Sequence, residues 1–180
     1  MTVWQEIANK QDASRKVSAK SLATALRKRL TDLGTHVDPT IQGRLTIRQE
    51  RARTIIEIQG GNSEPLSDLE HVRSATLAVH AAIEEDTLRE FTLRLDWVRP
   101  DETAGVIAIH LDPEPRGTGA CGHPLLHCHV GPDLDTPPKV RVPFPPVSMP
   151  DALDWLLSQI LPGREPEPWT SPTSATRLKS

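Results

Sequence analysis

The sequence predicts an α+β domain: a four-stranded antiparallel meander packed on a helix, with an N-terminal helical segment, a β-hairpin and a C-terminal helix. Three observations carry that reading. Four segments between residues 91 and 144 place apolar side chains on one parity and polar ones on the other, the signature of half-buried strands. Separate stretches repeat apolar residues three and four apart, as helices do. Aromatics are only 3% of the 180 residues, with no Tyr, so aliphatic residues must fill the interior.

Each element has a local reason. Thr2 with Gln5 three residues on forms a capping box, predicting a short helix over 3–10 with Trp4 and Ile7 as its apolar contacts. Leu22, Leu26, Leu30 and Leu33 share one face of a helix over 18–33, Gly34 sits where a left-handed cap would end it, and Arg27, Lys28 and Arg29 lie beside the stripe. Residues 43–49 and 53–59 are rich in β-branched side chains and predict a hairpin turning near Glu50. After Gly60-Gly61-Asn62-Ser63, the spacing of Leu69, Val72, Thr76, Val79 and Ile83 predicts a helix over 65–85, with Ser67 and Glu70 as a capping box. That helix would cover the sheet.

The four strands follow. Phe91, Leu93, Leu95 and Trp97 alternate with Thr92, Arg94 and Asp96; Ile107, Ile109 and Leu111 alternate with Ala108, His110 and Asp112. In the third, His123, His127 and His129 take one face, and Leu126, Cys128 and Val130 take the core. Val140, Val142 and Phe144 alternate with Lys139, Arg141 and Pro143 in the fourth. The polar face so predicted displays Arg94, Asp96, His110, Asp112, Leu125, His127, His129 and Arg141. Proline-rich connections flank the histidine strand and supply rigid walls for a cleft. A last helix begins near Ser148, has Asp151 at the capping-box position, buries Leu153, Leu156, Leu157 and Ile160, and stops at Pro162-Gly163. Residues 1–162 thus read as a single domain with a basic helical segment over 1–35, and the polar residues 163–180 as a disordered tail.

Composition narrows the function. Net charge is −3, but residues 1–35 hold seven Lys/Arg against three Asp/Glu, an asymmetry suited to an acidic partner and equally to a solvated helix face. Few aromatics argue against base-stacking platforms. No apolar run suggests a signal peptide or a membrane span, and two cysteines suit a reducing compartment, so a cytoplasmic protein is expected. Phosphate-cradling and nucleophile-elbow glycine motifs are missing.

The chemistry therefore rests on imidazoles. His127 and His129 at i, i+2 point the same way, and His110 or Asp112 on the neighbouring strand completes a three-ligand set for a divalent metal ion, zinc or another transition metal, with water as the fourth ligand. Cys121 and His123 with His127 and His129 form an alternative, structural zinc set. Without metal, His110 and His127 serve as general acid and base while Arg94, Arg141 or Lys139 holds an anionic substrate such as a phosphodiester. Gly122-x4-His127-x-His129-x3-Asp133 resembles the first metal motif of cupins, but its glycine spacing is one residue short, Glu is missing, and no His follows His129. His110-Leu111-Asp112 and His127-Cys128-His129 are similar to the paired strands of two-histidine phosphoesterases, lacking both hydroxyl residues. Neither likeness transfers residue roles.

The expectation is a small intracellular hydrolase acting on a phosphoester or nucleic acid. The competing class is a non-catalytic accessory protein that docks a protein partner through the sheet face or the basic N-terminal helix.

Overall fold

The computed structural model describes residues 16–112, 126–132, 142–145 and 147–164. The helix expected over 3–10, the tail beyond 164, and Cys121, His123, Leu125, Lys139 and Arg141 lie outside the described residues. What is described is α+β, with one antiparallel sheet in the order β1-β2-β4-β5-β6-β7-β8 and β3 attached to β4, a larger sheet than a four-stranded meander.

Helix α1, Ala19–Thr31, starts where Ser18 accepts a hydrogen bond from the Ser21 backbone N–H, one of the donors a helix start leaves unpaired. It buries Leu22, Ala23, Leu26 and Leu30, and Lys28 and Arg29 in its last turn complement the negative end of its dipole. Gly34 follows with φ of 59°, the left-handed conformation expected at the helix exit. A single turn, α2 (Ile41–Arg44), leads into β1 (Leu45–Glu50) and β2 (Arg53–Ile58), the predicted hairpin, which reverses at Arg51-Ala52.

The segment expected as a helix over 65–85 is instead β3 (Glu64–Leu66) and β4 (Ser74–Glu84). Its apolar residues satisfy two periods at once, and the two-residue period wins. Ala75, Leu77, Val79, Ala81 and Ile83 are all buried on one face, and β4 pairs along one edge with β2 and β3 and along the other with β5. Tertiary pairing of this kind overrides a local helical spacing, especially where Thr76, Val79 and Ile83 are β-branched.

β5 (Thr87–Val98), β6 (Ala104–Leu111), β7 (Leu126–Gly131) and the two-residue β8 (Val142–Pro143) form the predicted meander. Trp97 lies opposite Gly105 across β5 and β6, and a Cβ on that glycine would overlap the indole. Helix α3, Met149–Ser158, is capped by Ser148, which accepts from the Asp151 backbone N–H and donates to its carboxylate at 2.6 Å.

The core lies between the sheet and helices α1 and α3. Leu26, Leu30, Leu93, Leu95, Ile109, Leu153, Leu156 and Leu157 are fully or almost fully buried there, and Arg29 Nε donates to Asp154 Oδ2 at 2.6 Å to tie the two helices together. These two helices cover the sheet in place of the expected helix 65–85. Val130, expected in the core, is 53% exposed at the end of β7. No helix among the described residues is long and apolar enough to cross a membrane.

Candidate functional site

The face of the sheet away from α1 and α3 is organised by register. Thr46, Glu57, His80, Thr92, His110, His127 and Pro143 are successive cross-strand partners, so they form one row across seven strands. Arg94, Ala108 and His129 form the adjacent row. Alternation within each strand puts both rows on the same side.

Three imidazoles meet where β6 and β7 cross these rows. The ring centroids are 5.6 Å apart for His110 and His127, 5.1 Å for His110 and His129, and 5.0 Å for His127 and His129. His127 is 1% exposed, whereas His110 and His129 are half-buried. Thr92 Oγ1 lies 3.2 Å from His110 Nδ1 and holds that ring in place from the next strand. Cys128 points into the core, where burial pushes its thiol above the usual range, so it is an apolar filler with no nucleophilic character.

His110 and His127 lie 19° from parallel, and His129 stands at 85° and 77° to them. Among the described residues no group of three or more His, Cys, Asp or Glu is arranged to hold a metal ion. Asp112 follows β6 and is half-buried, and it joins no such group.

The arginine expected beside the histidines is held by a carboxylate. Arg94 Nε donates to both Asp96 oxygens at 3.0 and 2.9 Å, and Nη2 donates to Oδ1 at 2.7 Å. Farther along the row, Arg48 Nε donates to Glu57 Oε1 at 3.0 Å, and His80 Nδ1 lies 3.4 Å from Glu57 Oε2. Glu57 is 5% exposed. Burial alone would raise its carboxyl, yet the hydrogen bonds and charges of Arg48 and His80 prevail and hold it below the usual carboxylate range.

Glu57 and His80 escape a sequence reading that makes residues 65–85 a helix. Once β4 is a strand, the signal is plain: His80 takes the parity opposite Val79 and Ala81, and so faces the polar side. Three of the four basic residues of α1, in contrast, have partners. Arg27 donates to the carbonyls of Gln42 and Leu45 at 3.3 and 2.9 Å, Lys28 pairs with Asp32 at 2.6 Å, and Arg29 pairs with Asp154. No protein-family model, no curated protein and no solved structure matches this chain.

Proposed function

We propose that the imidazole face is the site of a hydrolase that cleaves a small phosphoester by acid–base catalysis. The observation that supports this most is the meeting of three imidazoles, from two adjacent strands, within 5.0–5.6 Å on the face opposite the core. His110 and His129, the two accessible rings, are the catalytic residues, and His127, buried behind them, is a positioning residue. One accessible imidazole takes a proton from water as its oxygen attacks phosphorus. The other gives a proton to the leaving alkoxide oxygen as the old P–O bond breaks, and exchange with solvent restores both.

Charge balance favours a small substrate over a nucleic-acid strand. On this face Arg48, Arg53 and Arg94 each stand within 4.0 Å of a carboxylate, so the described residues offer no stripe of unneutralised cations of the kind that tracks a phosphate backbone. The engagement of Arg27, Lys28 and Arg29 within the domain likewise weakens docking of a protein partner through α1.

Turnover of chromogenic phosphomonoesters and phosphodiesters, with and without a chelator, tests the proposal. The acid–base reading expects turnover that survives chelation, has a bell-shaped pH profile, and falls about 10²–10⁴-fold in His110→Ala combined with His129→Ala. Loss of activity on chelation, with metal found in the purified protein, would assign the same histidines to a divalent metal. No turnover of any phosphoester would overturn the hydrolase.

A further inference from the structure

The polar face has a second feature besides the histidine cluster. At the end of the sheet where β1 turns into β2 and β4 into β5, a pocket of about 520 Å³ is lined by His80, Ile55, Ala52, Glu50, Arg51, Arg53, Glu84 and Glu90. His80 is held from behind by Glu57. An ionised carboxylate can only accept, so Nδ1 of the facing imidazole carries a proton, and the contact orients the ring with Nε2 on its far side.

The walls are polar yet close to neutral. Glu50 pairs with Arg48 at 2.6 Å, Glu84 with Arg89 at 3.4 Å and Glu90 with Arg53 at 3.7 Å. With each carboxylate set against a guanidinium, the wall holds neither a free anion nor a cation by net charge. What such a wall rewards is a neutral group that donates and accepts from adjacent atoms. Ile55, 5% exposed, adds an apolar patch beside it.

The backbone is strained at the same place. Arg51, on the lip of the pocket, has φ of 55°, where a side chain clashes with its own backbone and glycine is the ordinary choice.

We propose that this pocket binds the vicinal diol of a sugar, read by the Nε2 of His80 and by the paired carboxylates and guanidiniums around it. In the context of the hydrolase reading, on which this extension rests, the substrate is a sugar phosphate or mononucleotide whose diol sits in the pocket and whose phosphoester reaches His110. Thr92 alone stands between His80 and His110 in the row, so their backbones are two strand spacings, about 10 Å, apart.

The test titrates the full chain with ribose, inorganic phosphate and ribose 5-phosphate, followed by NMR of backbone amides and imidazole rings. Ribose should shift the Ala52 and Ile55 amides and the His80 ring, phosphate should shift the His110 and His129 rings, and ribose 5-phosphate should shift both sets. His80→Phe should weaken ribose about 10-fold or more while leaving phosphate binding unchanged, and Glu57→Gln should do the same through loss of the carboxylate that orients the ring. Arg51→Gly should raise Tm and weaken ribose. Ribose that leaves the pocket amides unmoved, or that binds His80→Phe as well as the parent, overturns the diol site. If phosphate leaves His110 and His129 unmoved while ribose still shifts the pocket, the hydrolase reading fails and the diol pocket stands.

Discussion

Thr92 and Leu93 are neighbours on β5 with opposite fates. Leu93 is completely buried against the helices, and Thr92 spends its hydroxyl on His110. The same contrast runs through β6 and β7: Ile109 and Cys128 pair on the core face, His110 and His127 on the other. Stability on one face is dispersion and apolar burial, insensitive to pH and costly to cut. On the other, it depends on which polar group stands opposite which, and register decides that.

The largest expected effect separates the two faces outright. Replacing His110 and His129 together by Ala should remove about 10²–10⁴-fold of kcat and leave Tm nearly unchanged. Leu93→Ala should do the reverse, costing about 2–5 kcal/mol in denaturant unfolding with kcat of the folded fraction intact. If the histidine pair unfolds the protein as readily as Leu93→Ala, the polar face is structural.

Two buried carboxylates sharpen the contrast within the polar groups. Glu57 has Arg48 and His80 against it, and its carboxyl is held down; Glu64, 1% exposed, is pushed up by burial that Arg44 at 2.5 Å only partly offsets. The signs are opposite. Glu57 contributes stability that is complete above the ordinary glutamate value of 4.5 and is lost as pH falls through its lowered one. For Glu64 the contribution belongs to the protonated form and is lost as pH rises through its raised value. At neutral pH Glu57→Gln should therefore cost about 1–2 kcal/mol, and Glu64→Gln should cost less, because Arg44 keeps Asp38 within 3.6 Å. Urea melts of both variants from neutral to acid pH check this, and the Glu57→Gln penalty should shrink as pH falls below 4.5.

The smallest effect concerns positioning. Thr92→Val keeps the shape and removes the hydroxyl, so it should lower kcat by a few-fold, roughly 3–10, and move the pH profile while Tm changes little. A mere packing role would leave that profile where it was.

Much of this was legible in the sequence, and the failures are specific. The helix over 18–33 from its leucine stripe, the capped helix at Ser148, the hairpin, and the strands with histidines on the polar parity could all be read, because caps and periodic alternation are local signals. The helix expected over 65–85 went wrong because Val79 and Ile83 fit both periods, and only the pairing of β4 with β2, β3 and β5 decides between them. That one misreading also hid the Glu57 and His80 pair. The commitment of Arg94 to Asp96 is an i, i+2 contact that alternation places on one face, yet the sequence reading assigned the arginine to substrate. Val130 satisfied the parity of a core residue yet is 53% exposed, because parity says nothing of where a cover ends.

Everything proposed for the polar face depends on three imidazoles from β6 and β7 sharing one site away from the core. Ring-to-ring nuclear Overhauser effects among His110, His127 and His129 in the full chain measure it most directly. Cross-peaks are expected for all three pairs, as centroid separations of 5.0–5.6 Å require, with the His110 and His129 rings responding to added phosphate. Rings that show no mutual contacts, or a phosphate titration that moves none of them, would contradict it.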